Sequence, residues 1–157
     1  MERLDDCNFV GKLRNELFVT DDSNIIVRKY KQYKVIAIAY RTELLDAIEK
    51  VWEHMWVSKH DVVKFMIFRS GMSISSFNRG NGSVYRTVMV NSTVISNPSG
   101  KNVVFFVKTC ILKKALDLIT DDKVIIRVGS DYIAIKSHNL YEKSIAIIKQ
   151  MPLLCCD

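Results

Sequence analysis

Residues 35–52 read VIAIAYRTELLDAIEKVW, and residues 102–119 read NVVFFVKTCILKKALDLI. Each stretch is a short apolar run, then a threonine, then apolar residues at the i, i+1, i+4, i+7 and i+8 spacing of an amphipathic helix. A shift of 67 residues superimposes the two patterns. A β-rich run follows each of them, VVKFMIF at 62–68 and KVIIRV at 123–128. The sequence therefore predicts an internal repeat of a strand–helix–strand unit.

The composition is that of one ordinary globular domain. The chain has 157 residues, of which 48% are hydrophobic and 25% are charged, and that length supports a single substantial core. No apolar run approaches the roughly 20 residues that span a bilayer, and the opening MERLDDCNFV carries acids where a signal peptide has bases. The four cysteines lack the spacing of a zinc site. We therefore expect a cytoplasmic protein with no membrane segment, no metal and no cofactor.

The formal net charge of +6 indicates which kind of partner the protein could bind. A positive domain attracts polyanions, nucleic acid above all, by raising encounter rates and non-specific affinity. Many small domains carry such a charge without any polyanionic partner, so both interpretations stay open at this point.

Turn and capping signals divide the chain into two helices and about eight strands. Thr42 is the expected N-cap of the first helix, which runs to about Met55, and the second helix covers about 109–120. Asn81-Gly82 predicts a hairpin turn. The predicted strands are 34–40, 61–69, 72–78, 83–95, 102–107, 123–128, 132–137 and 143–150.

The N-terminal part is less regular than the rest. Residues around Leu13 and Leu17 fit a short amphipathic helix. We interpret 1–33 as an extension packed on a single domain, 34–157. The element order in that domain is βαβββ repeated twice, which predicts an α+β fold with two helices packed on antiparallel sheets.

That order, with these local sequences, resembles one domain of a DNA sliding clamp, the processivity factor of replicative polymerases. The bacterial form, the DNA polymerase III beta subunit, is the closer match. RTELLDAIEKV at 41–51 is similar to the first helix of a clamp domain, and the stretch at 105–128 is similar to the family's strand, helix, acidic turn and next strand. IAIIKQMPLL at 145–154 resembles the closing strand with its Met-Pro. The resemblance covers about 34–154 and is strongest over 102–152, which is most like the C-terminal clamp domain.

The resemblance implies a non-enzymatic protein of DNA replication or repair. Clamp helices line the DNA channel and present bases, which Lys108, Lys113 and Lys114 do on the second helix. Arg79 and Arg86, near the predicted hairpin, are further candidates for phosphate contacts. The alternative for all five is an ordinary solvated surface.

Two features depart from the clamp pattern. A clamp ring is built from six such domains and this chain has room for one, so the resemblance implies a homo-oligomer or no ring. The first helix carries Glu43, Asp46, Glu49 and Glu53 against two bases, and such a helix repels phosphates.

A protein-binding surface is the other expectation. In bacterial clamps the last domain carries an apolar pocket for short peptides of replication proteins, and the resemblance places Met151, Pro152, Leu153 and Leu154 there. Trp56 is a further candidate, because aromatic residues are enriched at binding hot spots. The alternatives are a frayed closing strand and a core tryptophan.

Catalytic motifs are missing from the sequence. The chain has no G-x-S-x-G, Walker or G-x-G-x-x-G pattern, and we expect no enzyme. The leading hypothesis is a clamp-like protein that contacts double-stranded DNA non-specifically and binds replication or repair proteins through short peptides. The alternative is a dimeric helix-on-sheet interaction or regulatory module without DNA binding.

Overall fold

The computed structural model describes residues 17–20, 33–53, 61–78, 82–139 and 145–151. These residues form ten strands and two helices. The helices are α1 (Arg41–Val51) and α2 (Thr109–Asp117). The strands are β1 (Leu17–Thr20), β2 (Val35–Tyr40), β3 (Val62–Ile67), β4 (Met72–Phe77), β5 (Val84–Val90), β6 (Ser92–Ser96), β7 (Val103–Lys108), β8 (Lys123–Val128), β9 (Tyr132–Ser137) and β10 (Ile145–Lys149).

Two antiparallel sheets enclose the core together with the helices. The larger sheet has the order β1-β10-β9-β8-β2-β6, and the smaller sheet has the order β5-β4-β3-β7. The first repeat consists of β2, α1 and β3–β5, and the second repeat consists of β7, α2 and β8–β10. The first strand of each repeat pairs with the sheet strands of the other repeat, since β2 pairs with β8 and β7 pairs with β3. The predicted α+β fold, with βαβββ used twice, is confirmed.

The shift between the two repeats is 68 residues, one more than the sequence pattern indicated. With this shift the first residues of α1 and α2 coincide, and all four buried positions of α1 fall on buried positions of α2 or its end. The pairs are Leu44 with Leu112, Ala47 with Ala115, Ile48 with Leu116, and Val51 with Ile119. The 67-residue shift instead places Val51 on Leu118, which is 46% exposed. Apolar residues adjacent in sequence on both helices allowed the one-residue error.

Each helix begins directly where its strand ends. The backbone N–H of Arg41 donates to the carbonyl of Asp122 at 2.7 Å, and that of Thr109 donates to the carbonyl of Asp61 at 2.9 Å. These equivalent bonds tie the first turn of each helix to the residue that precedes a strand of the other repeat. The prediction of Thr42 as N-cap is wrong, because α1 already begins at Arg41 and no side chain caps it.

The predicted strand 83–95 is two strands in different sheets. β5 pairs with β4 in the smaller sheet, and β6 pairs with β2 in the larger sheet. The chain changes sheets at Asn91, whose backbone N–H donates to Oε1 of Glu43 at 3.3 Å. No Gly or Pro stands at this point, so no turn residue predicted the break.

Leu17 lies in a strand and not in the predicted helix. β1 pairs antiparallel with β10, with Leu17 opposite Ile148 and Thr20 opposite Ile145. Leu13 lies outside the described residues. The division into 1–33 and 34–157 stays a prediction.

The core joins both helices to both sheets. Phe65 of β3 stacks on Phe105 of β7 with ring centroids 4.8 Å apart. Nε1 of the buried Trp52 donates to Oγ1 of Thr109 at 3.2 Å, which links the end of α1 to the start of α2. No helix in the described part of the chain is long and apolar enough to cross a membrane.

Candidate DNA-contact and peptide-contact surfaces

The lysines of α2 project from a helix that is anchored by its apolar face. Leu112 and Leu116 are fully buried, so the helix cannot rotate without exposing them. Lys113 is exposed, whereas Lys114 and Lys108 are half-buried. Lys114 also lies in the last turn of α2, where a positive charge interacts favourably with the helix dipole. Lys113 is therefore the one of the three with most access to a ligand.

The outer surface of α1 has the opposite charge. Asp46 and Glu49 are exposed there, together with Lys50. Under the 68-residue shift Asp46 occupies the position that Lys114 has on α2. Two carboxylates in excess from Arg41 to Glu53 cancel two lysines in excess from Lys108 to Leu118. The pair of helices is therefore divided in charge and not uniformly basic.

Arg86 lies on β5 and already has a carboxylate partner. Its Nη1 is 2.7 Å from Oε1 of Glu53, and both side chains are about half exposed. The backbone N–H of Arg86 donates to Oγ of Ser76 at 3.2 Å. A phosphate at Arg86 would compete with Glu53, although an exposed ion pair of this kind contributes little free energy. Arg79 lies outside the described residues.

A cavity of about 670 Å³ lies beside β7. The backbone N–H of Met151 donates to the carbonyl of Phe106 at 2.7 Å, and this bond closes one side. Phe106 also packs against Phe77 with centroids 4.7 Å apart. The cavity is lined by Val104, Phe105, Phe106, Ser130, Asp131, Tyr132, Lys149, Gln150 and Met151.

Hydrogen bonds hold the wall of the cavity that follows β10. The backbone N–H of Gln150 donates to the carbonyl of Asp131 at 2.9 Å, and its Nε2 donates to the carbonyl of Gly129 at 2.7 Å. Burial, and then the negative charge of Asp131, raises the pKa of the Tyr33 hydroxyl. The apolar floor and the charged Asp131 and Lys149 would suit a short segment with both apolar and polar groups.

The structure describes only part of the predicted peptide-binding surface. Met151 lines the cavity, whereas Pro152, Leu153, Leu154 and Trp56 lie outside the described residues. Phe106 and Tyr132 were not among the predicted site residues. The signal for Phe106 was the apolar run VVFFV at 103–107, but the sequence did not reveal that, among the described strands, β7 lies at an edge of the smaller sheet.

The carboxylate of Asp121 organises the turn that precedes β8. Asp121 accepts a hydrogen bond from Oγ of Ser137 at 2.7 Å and from the backbone N–H of Asn139 at 2.9 Å. These bonds, chiefly the one from Ser137, hold the pKa of the Asp121 carboxyl below its usual range. Asp121 therefore has a structural role at the start of β8.

Comparison with known proteins gives results at the level of the fold. No protein-family model and no curated protein sequence matches the chain. Among solved structures, the DNA polymerase III beta chain of Streptococcus pneumoniae is similar with a TM-score of 0.64 and 13% identity, over 77% of this chain and 31% of that one. The sliding clamp of Bartonella birtlesii bound to griselimycin has a TM-score of 0.63, 13% identity and the same coverage.

The beta subunit of Thermotoga maritima has a TM-score of 0.58 and 18% identity, over 76% of this chain and 31% of that one. The chain thus spans about a third of the length of the clamp chains that it resembles. These similarities agree with the two-repeat architecture that the strand order shows. The protein has the fold of one domain of a bacterial DNA sliding clamp.

Proposed function

We propose that the protein is a non-enzymatic, sliding-clamp-like factor of DNA replication or repair. It acts in the cytoplasm through protein–protein contacts and through sequence-independent contacts to double-stranded DNA. The observation that supports the proposal is the fold shared with sliding clamps. Because the chain spans about a third of a clamp chain, we include self-association into a homo-oligomer in the proposal.

The DNA contact is proposed for α2 and not for α1. The exposed Lys113 and the half-buried Lys114 and Lys108 can approach phosphates as point charges, which gives affinity without reading the bases. The exposed carboxylates of α1 repel the same phosphates. Arg79 and Arg86 remain proposed secondary contacts, and Arg86 would have to exchange Glu53 for phosphate.

Charge reversal tests the DNA part of the proposal. The Lys113→Glu/Lys114→Glu variant is compared with wild type by fluorescence anisotropy of a labelled duplex at increasing salt. We expect weaker binding and a salt slope reduced by roughly 0.9 for each phosphate that the variant no longer neutralises. Lys101→Glu is the matched control, because Lys101 is also exposed but lies in the turn before β7. Absence of wild-type binding at low salt would remove DNA from the proposal.

A second candidate function is a dimeric protein-interaction or regulatory module without DNA binding. It is favoured by the carboxylates on α1 and by the cavity beside Phe106 and Met151. This function predicts salt-insensitive binding of short apolar peptides, measured by calorimetry over a peptide panel. Trp56→Ala and truncation after Pro152 should each weaken that binding, and unchanged affinity in both variants would exclude the module.

A further inference from the structure

The turn between β8 and β9 forms one wall of the cavity beside β7. Ser130, Asp131 and Tyr132 of this turn line the cavity. The backbone N–H of Gly129 donates to the carbonyl of Tyr132 at 2.9 Å and closes the turn. The position of the cavity wall therefore depends on the contacts that hold these four residues in place.

Gln150 holds the turn from the side of β10. Its Nε2 donates to the carbonyl of Gly129 at 2.7 Å and to that of Tyr132 at 3.2 Å. Its backbone N–H donates to the carbonyl of Asp131 at 2.9 Å. Gln150 also lines the cavity itself, so these bonds join two parts of the same wall.

Tyr33 contacts the same turn without being one of the described residues that line the cavity. A Cβ added to Gly129 would lie 2.5 Å from the ring of Tyr33, so the ring packs directly on the glycine. Gly129 lacks the positive φ of Gly82 and Gly100, so its backbone conformation does not require a glycine. The missing side chain at this position therefore serves the contact with Tyr33.

Tyr33 is itself fixed on the larger sheet. Its carbonyl accepts a hydrogen bond from Nη1 of Arg127 at 3.5 Å. Its side chain packs, as does that of Tyr132, against a buried cluster that is separate from the main core. The members of this cluster are Ala134, Ile145 and Ile147. Because Tyr33 is anchored at both its carbonyl and its side chain, its ring can hold the turn in one position.

We propose that Tyr33 is a positioning residue of the cavity beside β7. Its ring holds the turn of Gly129–Tyr132 against Gln150, and this preformed wall lowers the free-energy cost of binding a short peptide segment. The inference rests on the proposed function for the peptide ligand. It adds to that function a residue outside the stretch 34–154, which carries the resemblance to a clamp domain.

Amide exchange followed by NMR on the unliganded protein tests the positioning of the turn. The backbone N–H groups of Gly129 and Gln150 both donate within this wall, and in Tyr33→Ala they should exchange severalfold faster than in wild type. Tyr33→Phe keeps the ring and should exchange like wild type. The reference is the N–H of Phe68, which donates to the carbonyl of Gly71 at 2.7 Å in the corresponding turn of the first repeat. Its exchange rate should stay the same in both variants.

Ligand affinity is measured by NMR titration with two probe peptides, acetyl-Lys-Leu-Leu-Glu-amide and acetyl-Glu-Leu-Leu-Lys-amide. Their leucines suit the apolar floor of the cavity, and their charges suit the exposed Asp131 and Lys149 that line it. The two orders of charge cover both directions in which a segment can lie. Tyr33→Ala should weaken binding of the better probe about two- to tenfold, because the freed turn must be ordered on binding. Gly129→Ala should displace the ring and weaken binding in the same way, whereas Tyr33→Phe should keep wild-type affinity.

Val124→Ala separates positioning from general stability. Val124 is fully buried in β8, at the end of the strand away from the turn, so this variant should lose stability and keep wild-type affinity. Equal losses of affinity in Val124→Ala and Tyr33→Ala would overturn the inference, as would wild-type exchange rates at Gly129 and Gln150 in Tyr33→Ala. Wild type that binds neither probe would overturn the inference together with the peptide contact in the proposed function. Binding by wild type that Tyr33→Ala fully retains would overturn the inference alone.

Discussion

Truncation of equivalent core leucines tests the two-repeat architecture. Leu44 of α1 and Leu112 of α2 are both fully buried and occupy the same position of the repeat. Replacing either by Ala removes apolar surface worth about 2.4 kcal/mol. The cavity left behind raises the loss to about 3–4 kcal/mol of unfolding free energy. That is a large fraction of the ~5–15 kcal/mol that stabilises a domain.

The assay is urea unfolding followed by circular dichroism. With a slope of about 2 kcal/mol per molar urea, Leu44→Ala and Leu112→Ala should each lower the midpoint by about 1.5–2 M. Leu118→Ala is the control, because Leu118 is 46% exposed and its loss should stay below about 1 kcal/mol. If Leu118→Ala costs as much as Leu112→Ala, then the 68-residue correspondence and the assigned buried face of α2 are wrong.

Two further predictions concern the larger sheet. Gly129→Ala should destabilise the fold by about 1–3 kcal/mol, because an added Cβ would lie 2.5 Å from the ring of Tyr33. Gly71→Ala is the control, because a Cβ added there would have its nearest contact at 3.9 Å. Equal thermal unfolding midpoints for the two variants would contradict the clash. Asp121→Asn should also destabilise the protein at neutral pH, since the carboxylate with its lowered pKa accepts the Ser137 hydrogen bond. That stabilisation is present above the pKa of an ordinary aspartate and is lost as pH falls through the lowered pKa. In urea titrations, the difference in unfolding free energy between wild type and Asp121→Asn should therefore be smaller at acidic pH than at neutral pH. A difference in unfolding free energy that does not change with pH would contradict the assigned role.

Periodicity predicted the helices because burial follows it closely. The apolar residues of α1 and α2 that recur at helical spacing are the ones that pack on the sheets, including Ile48 and Leu116. The repeat shift was harder to predict, because neighbouring apolar residues such as Leu44 and Leu45 let two alignments match equally well. The burial of Ile119 against the exposure of Leu118 distinguishes the two, and so do the first residues of the helices, Arg41 and Thr109, which lie 68 residues apart.

Features formed by contacts between distant segments of the chain were not predicted from the sequence. At the change of sheet, the backbone N–H of Asn91 donates to the side chain of Glu43, which is far away in the chain. The strand at Leu17 pairs with β10, which lies far away in the chain. The cavity has the same origin, since Phe106, Tyr132 and Met151 come from three separate segments. The lysines of α2 were predicted from the sequence, but the ion pair between Arg86 and Glu53 was not.

The most direct test of the central claim is the mass of the wild-type protein mixed with a short DNA duplex, measured by light scattering at low and at raised salt. A clamp-like protein with sequence-independent DNA contacts should give a protein–DNA complex at low salt with either of two unrelated duplex sequences. That complex should dissociate as salt rises. A mass at low salt that is the same with and without DNA would contradict the claim.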